Sequence, residues 1–158
     1  MVAPNQERIS NFLKSDRVTY KGLEKENLRS DNEGKISNKT FPDSFGVHNY
    51  NRYITLDYSE PHLEVVTPPF ISNKEVFSFL CDLHSHVENN LDGDLLWNYS
   101  MPPKFKSKYI KLPPHRETNT TKLAHLYRLG LRNRYGDKMQ STAGIPVSYT
   151  HLRAHETV

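Results

Sequence analysis

The stretch Tyr53–Pro69, YITLDYSEPHLEVVTPP, constrains the fold most, because it predicts two short strands joined by a tight connection at residues 60–61. In its first half Ile54, Leu56 and Tyr58 alternate with polar neighbours, which is the period of a half-buried strand. In its second half Leu63 and Val65 alternate in the same way with His62, Glu64 and Val66. We therefore expect a hairpin with one apolar face and one polar face.

The predicted hairpin places two acidic side chains together. If it closes through a two-residue loop at 60–61, Asp57 lies directly opposite Glu64. Like charges directly opposite in a sheet repel, so this pairing predicts a cation between them. The prediction depends on the register, because a slip of one residue would move Glu64 to the other face.

A second acidic strand precedes the hairpin at residues 22–29, GLEKENLR. Glu24 and Glu26 are two residues apart, so a strand directs both side chains to one face. Two strands that present four carboxylates to one place would form a site for a hard divalent cation. Mg²⁺ fits such a site, since it binds oxygen ligands from a few carboxylates and from substrate phosphates. The alternative, from these residues alone, is a solvated acidic face, which is common on protein surfaces.

Composition limits the class of protein. A chain of 158 residues has room for one modest domain, and 35% hydrophobic with 25% charged residues is polar for a self-sufficient globule. The single cysteine excludes an internal disulfide and a cysteine-cluster metal site. The sequence has neither an apolar run of transmembrane length nor a signal-peptide pattern, so we expect a cytoplasmic protein without a membrane partner.

Three helices are predicted. Asn5–Leu13 is a short candidate, and Ser72–Leu91 begins with the capping-box pattern S-x-x-E. We interpret the second helix as a packing element and expect its Cys81 to be a buried, inert thiol. Asn119–Tyr135 is the third helix and ends at a glycine. Its predicted apolar face is formed by Leu123, Leu126, Tyr127 and Leu131, and the following stretch 138–145, KMQSTAGI, is expected to begin another strand.

Four motifs resemble one family when they are taken in order. GLEKENLR, ITLDYSEPHLEVVTPP, DGDLLWNYSMPP and LYRLGLRNRYGDKMQSTAGI, from about Asn11 to Ile145, are similar to the N-terminal part of bacterial glutamate–cysteine ligase, also called γ-glutamylcysteine synthetase. The resemblance implies an α+β fold: a curved, mainly antiparallel sheet with packed helices, part of a glutamine-synthetase-like catalytic fold. Residues 1–145 would then be the N-terminal part of the ligase catalytic domain.

The resemblance also assigns roles to single residues. Glu24, Glu26, Asp57 and Glu64 match the positions that coordinate Mg²⁺ in the family. Tyr58 matches an aromatic residue of the cysteine pocket. The amino-acid end of the family's site matches Tyr127, Arg128, Leu131 and Gln140, and we expect Arg128 to act in catalysis because its planar fork binds two oxygens at once.

The implied reaction is ATP-dependent amide formation, the first step of glutathione biosynthesis. The γ-carboxylate of glutamate takes the terminal phosphoryl group of ATP, and the amine of cysteine displaces phosphate from the acyl phosphate. The implied partners are these small molecules, with no nucleic acid, and the parent protein is expected to be a monomer. Two alternatives stay open: a related ligase for another amine, and a non-catalytic basic binding module that uses the lysine-rich residues 104–138.

The resemblance ends abruptly after Ile145. The family continues with a histidine of the site, whereas this chain continues with Pro146 and the sequence VSYTHLRAHETV. This stretch lacks the alternation of the expected strand, and a proline removes a ladder hydrogen bond. We therefore predict that residues 146–158 are a non-native tail that does not continue the expected strand, and that the chain is a fragment that is inactive alone.

Overall fold

A computed structural model describes residues 18–151 except 104, 106–109 and 116–117, so the predicted helix Asn5–Leu13 lies outside the described residues. The fold is organised around one long strand, β1, which pairs with neighbours on both edges. In chain order the elements are β1 (Thr19–Ser30), β2 (Ile54–Leu56), β3 (His62–Val66), α1 (Asn73–Glu88), β4 (Leu95–Trp97), α2 (Asn119–Tyr135), α3 (Asp137–Gln140) and β5 (Val147–His151). Among the described residues no helix is both long and apolar enough to cross a membrane.

The five strands form one antiparallel sheet in the order β2-β3-β1-β4, with β5 also paired to β1. The middle of β1 pairs with β3, its end with β4 and its beginning with β5. The expected antiparallel sheet with packed helices is confirmed, and both long helices appear where the sequence predicted them.

The hairpin between β2 and β3 has a different register from the one expected. Thr55, not Asp57, lies opposite Glu64, and the backbone N–H of Asp57 donates to the carbonyl of His62 at 3.1 Å. The connection is four residues long, 58–61, because contacts from other elements hold it. The backbone N–H of Arg29 donates to the Pro61 carbonyl at 2.7 Å, and the Arg29 guanidinium donates to the Glu60 carbonyl. Since the register differs by two residues, the side chains of β2 and β3 keep their predicted faces.

One face of the sheet, called the helix face below, is covered by α1. Its core consists of Ile54, Leu56, Leu63 and Val65 from the hairpin, Leu80, Val87 and Leu91 from α1 and its end, and Phe41 and Phe45 from the loop before β2. These side chains are at most 9% exposed. The apolar half of the predicted alternation is therefore the main core of the protein.

The opposite face carries a smaller core at one end only. Leu28, near the end of β1, packs with Ile36, Tyr58 and Ile110. Trp97 and Leu131 are partly buried and pack against this cluster. The cluster leaves the middle of that face without an apolar cover. Tyr58 lies beyond the end of β2 and belongs to this second core, although the alternation grouped it with the residues of the helix face.

Two expectations about the helices are wrong. Cys81 is exposed, because the buried stripe of α1 is formed by Val76, Leu80 and Val87. On α2 the predicted apolar face is largely uncovered: Leu123, Leu126 and Tyr127 are 63–69% exposed. Nothing among the described residues packs over these three side chains.

The segment after α2 also differs from the prediction. Residues 138–145 do not begin a strand, because Asp137–Gln140 form a last helical turn. The strand comes later, as β5, and pairs with β1 from Thr19 to Leu23. Pro146 does not interrupt this pairing, because its carbonyl accepts from the backbone N–H of Glu24 at 3.0 Å and a proline lacks only the donor. The part of 146–158 that the structure describes therefore includes a strand of the sheet, contrary to the prediction.

Candidate metal-binding face

The open face of the sheet brings the four predicted metal-binding carboxylates together. Glu26 on β1 lies directly opposite Glu64 on β3, and Glu24 is two residues further along the same face. Asp57 follows β2 and lies opposite His62. His62 is two residues before Glu64 on β3, so all of these side chains share one face of the sheet. We call these five residues the acidic face.

The charges of the acidic face act on Glu64 most strongly. Partial burial, followed in decreasing order by the neighbouring carboxylates of Asp57, Glu24 and Glu26, raises the pKa of Glu64 to about 7. A carboxyl group that holds its proton near neutral pH indicates crowded negative charge in a partly desolvated place. A divalent cation at this position would relieve both costs.

Arg128 of α2 holds one end of the acidic face. Its Nε and Nη2 donate to the backbone carbonyl of Asp57 at 3.0 and 2.8 Å, and Nη2 also reaches the carbonyl of Leu56 at 3.2 Å. Burial raises the pKa of the Asp57 carboxyl group, while the charge of Arg128 lowers it. The guanidinium group thus fixes the backbone that carries Asp57 and contributes positive charge beside its carboxylate.

Glu26 is fixed by the chain segment that leads into β5. The backbone N–H of Gly144 donates to Oε2 of Glu26 at 2.7 Å, and the backbone N–H of Glu26 donates to the carbonyl of Gly144 at 3.0 Å. This double contact orients the carboxylate on the face of the sheet. Hydrogen-bonded carboxylates of this kind are typical of metal sites, since outer contacts orient the ligands.

His62 lies at the bottom of the acidic face and is fully buried. Its Nδ1 is 3.4 Å from Oδ2 of Asp57, and its Nε2 is 3.9 Å from Oε2 of Glu26. Neither ring nitrogen makes a hydrogen bond of normal geometry. Burial lowers the pKa of His62 more than Glu26 and the nearby Gln140 backbone raise it, so the imidazole is neutral at pH 7.

Glu26, Asp57 and His62 form the tightest group of potential metal ligands in the described part of the chain. One ligand atom from each residue lies within 4.8 Å of the others. Glu24 and Glu64 are on the same face but outside this group. Carboxylate oxygens suit Mg²⁺ and Mn²⁺, and a neutral imidazole suits transition metals. The donor set therefore fits a divalent cation.

The predicted substrate-binding residues lie near this face in different environments. Tyr58 is 2% exposed, and its hydroxyl donates to Oδ1 of Asp137 at 2.6 Å; burial raises its pKa to about 12. Leu131 packs against the same small core, and the backbone of Gln140 approaches His62. Tyr127 is 66% exposed and has no cover within the described residues.

Sequence reasoning missed two groups at this site. His62 was visible as a signal, because it is two residues from Glu64 in the same strand and therefore shares its face. The contribution of Gly144 had no sequence signal, since it comes from a backbone N–H that reaches Glu26 across 118 positions of the chain. The basic residues 104, 106 and 108 of the alternative binding module lie outside the described residues.

Comparison with known proteins identifies the family of this chain. The family model of glutamate–cysteine ligase matches residues 6–152 of the chain. The chain belongs to the glutamate–cysteine ligase family. The ligase of Wigglesworthia glossinidia brevipalpis is 40% identical over 88% of this chain, and that of Clostridium acetobutylicum is 38% identical over 82%. The chain spans 27% of the length of each of these ligases.

Solved structures of ligases agree with the family assignment. The glutamate–cysteine ligase of Francisella tularensis, solved in complex with AMP, matches with a TM-score of 0.83 and 29% identity over 87% of this chain and 28% of its own. A bifunctional glutathione synthetase from Pasteurella multocida matches with a TM-score of 0.74 and 28% identity, over 83% of this chain and 17% of its own. The glutamine-synthetase-like catalytic fold that the resemblance implied is confirmed. The family match also runs past Ile145 to residue 152.

Proposed function

We propose that this chain supplies the metal-binding part of the active site of an enzyme that joins the γ-carboxylate of glutamate to the amine of cysteine, with ATP as co-substrate. One observation carries the proposal: four carboxylates share one face of the sheet in a chain of the glutamate–cysteine ligase family. The AMP in the matching Francisella tularensis ligase supports use of a nucleotide. The product would be γ-glutamylcysteine, the precursor of glutathione.

In this proposal Glu24, Glu26, Asp57 and Glu64 hold Mg²⁺ on the acidic face. A bound divalent cation supplies positive charge to the phosphate oxygens of ATP during phosphoryl transfer. The protein's own contribution is orientation. The Gly144 backbone aligns the Glu26 carboxylate, and pairing to β1 keeps Glu64 beside it.

The substrate end of the site would lie between the acidic face and α2. Tyr58 and Leu131 would form an apolar wall for the cysteine, while Tyr127 and Gln140 would line the amino-acid end. Arg128 would act in catalysis by placing positive charge beside the acidic face, where its contacts to the hairpin already hold it. The reaction would take place in the cytoplasm in a monomeric protein. The boundary at Ile145 between the ligase part of the chain and a non-native tail also stays a prediction.

A chimeric enzyme tests this proposal. Residues 18–145 of this chain would replace the matching segment of the Francisella tularensis ligase. The purified chimera would be assayed for glutamate-dependent ADP release with Mg²⁺ and a series of amines. We expect the highest kcat/KM with cysteine, whereas a clear preference for another amine would identify a related carboxylate–amine ligase.

Two variants of the chimera complete the experiment. Glu26→Gln removes a metal-binding charge and should lower kcat/KM by at least about a hundredfold, in the range reported for removal of a key electrostatic group. Glu75→Gln changes an exposed carboxylate of α1 and is the matched control, with unchanged kinetics. Equal activity of the two variants would contradict a role for the acidic face in the reaction.

A further inference from the structure

His62 is the least satisfied side chain of the acidic face. It is 0% exposed, and both of its ring nitrogens lack a hydrogen bond of normal geometry, although the backbone of Gln140 approaches the ring. A buried polar atom without a partner costs free energy, so native proteins pair nearly all of them. The ring lies between two carboxylates that belong to different strands, Asp57 after β2 and Glu26 on β1. Its position therefore points to a ligand in the space between them.

The distances favour a cation over a proton at one of the two nitrogens. A neutral imidazole carries one N–H and one lone pair. Nδ1, at 3.4 Å from Oδ2 of Asp57, is the nitrogen that can donate to a carboxylate after a small shift. Nε2 would then present its lone pair to Oε2 of Glu26 at 3.9 Å, which would set two acceptors against each other. Two metal–ligand bonds of about 2.1 Å each would span this gap.

The surroundings already have the form of a ligand shell. Oε2 of Glu26 accepts the Gly144 backbone N–H at 2.7 Å, and the Asp57 backbone is held by Arg128. In many metal sites a histidine binds the metal with one nitrogen and donates its other N–H to a carboxylate. Asp57, His62 and Glu26 occupy the places of carboxylate, histidine and second ligand in that arrangement.

We propose that His62 is a nitrogen ligand, through Nε2, of a divalent transition-metal ion shared with Glu26 on the acidic face. The inference rests on the metal site of the proposed function but not on the ligation reaction. Imidazole nitrogen binds Mn²⁺ and later transition metals more readily than Mg²⁺, which prefers a shell of oxygens. His62 thus makes this part of the acidic face selective for a transition metal over Mg²⁺.

Pulsed electron paramagnetic resonance of Mn²⁺ bound to the 158-residue chain gives a direct test. Nitrogen-14 coupling from a bound imidazole should be present in the wild type and absent in His62→Gln. The matched control is His84→Gln, which removes a partly buried histidine of α1 away from the acidic face and should retain the coupling. Nitrogen coupling that persists in His62→Gln, or that is absent from the wild type, would overturn the proposal.

Affinity gives a second, independent measurement. Mn²⁺ would be titrated against each variant, and Mg²⁺ would be measured by competition. His62→Gln should weaken Mn²⁺ binding by at least about tenfold, since loss of even an outer partner costs about 10–100-fold in affinity. Mg²⁺ binding should change much less, so the Mn²⁺/Mg²⁺ preference should fall. An equal loss for both ions would show that His62 supports the fold and does not bind the metal.

Two further variants separate the possible failures. Glu26→Gln should weaken the binding of both ions; if it changes neither, the metal site of the proposed function fails together with this inference. If Glu26→Gln weakens binding while His62→Gln does not, only the role of His62 fails. His62→Leu fills the buried space with an apolar side chain and replaces His62→Gln if that variant does not fold, as judged by circular dichroism.

Discussion

The two faces of the same sheet differ in how their side chains are satisfied. On the helix face Ile54, Leu56, Leu63 and Val65 are buried beneath α1, and these apolar side chains require no hydrogen-bond partner. On the acidic face the alternate residues of the same strands carry crowded carboxylates and an imidazole whose ring nitrogens make no hydrogen bond of normal geometry. The two faces of the hairpin thus have different roles. One face stabilises the fold, and the other holds unfavourable charge at a site where a cation would bind. Changes on the two faces should therefore have opposite consequences for stability.

The largest expected effect is on the helix face. Leu63 is 1% exposed at the centre of the core, and Leu63→Ala removes its contacts with α1 and leaves a cavity. We expect a loss of about 2–5 kcal/mol in the free energy of unfolding, measured by urea denaturation. The matched control is Leu123→Ala on α2, which is 69% exposed and should change stability little. Similar losses for both variants would show that α2 packs against the sheet more than its exposure indicates.

A smaller loss is expected where α2 holds the acidic face. Arg128→Lys keeps the charge but loses the fork that donates to the carbonyls of Asp57 and Leu56. We expect a loss of about 1.5–3 kcal/mol in unfolding free energy, the range for hydrogen bonds to a charged group. Arg134→Lys, at an exposed position of the same helix, is the control. In the chimeric ligase kcat should fall more for Arg128→Lys than the stability loss accounts for, and unchanged kinetics would leave Arg128 with a structural role only.

The sequence predicted the division into two faces because alternation is a local property of a strand. The register of the hairpin was not predictable in the same way, since it depends on Arg29, which contacts residues 60 and 61 from another strand. β5 was missed for a related reason. Its pairing is set by the free edge of β1, and the hydrogen bond to the carbonyl of Pro146 does not require the N–H that proline lacks.

The candidate site was predictable to the extent that it consists of side chains on alternating positions. Glu24, Glu26, Asp57 and Glu64 share a face as expected, because a register error of two residues leaves faces unchanged. The prediction that the apolar face of α2 is buried was wrong, because periodicity gives the spacing of apolar residues but does not show whether another element packs against them. The state of His62 depends on burial at atomic detail, which no sequence pattern contains.

Tyr58→Phe tests the boundary between the acidic face and the small core. It removes the hydroxyl that donates to Asp137 at 2.6 Å but keeps the ring in its packing. Asp137 retains the contact from Nε of Arg132 at 2.8 Å, so the carboxylate is not left alone. We expect a loss of about 1 kcal/mol in unfolding free energy, with Tyr127→Phe on the exposed part of α2 as the control. A loss as large as that of Leu63→Ala would place the border within the main core.

The smallest effect, and the one with the opposite sign, is expected at Glu64. Its pKa in the folded chain is raised from 4.5 to about 7, so between these values the folded chain holds a proton that the unfolded chain has released. Stability of the metal-free chain should therefore fall as pH rises from about 4.5 to 7, and the full cost remains above pH 7. Glu64→Gln is neutral at every pH and does not carry this cost.

Thermal unfolding in the presence of a chelator tests this sign. At pH 8 Glu64→Gln should have a higher Tm than the wild type, and at pH 4 the two should coincide, since Glu64 is then protonated in both states. The difference should be modest because solvent reaches part of the group and screens its charge. With excess Mg²⁺ the order should narrow or reverse, since a cation stabilises the carboxylate that glutamine lacks. Glu75→Gln, at an exposed position of α1, should show none of these changes. A wild-type Tm that is constant from pH 4 to 8 would contradict the prediction and would mean that solvent already screens the charge of the acidic face.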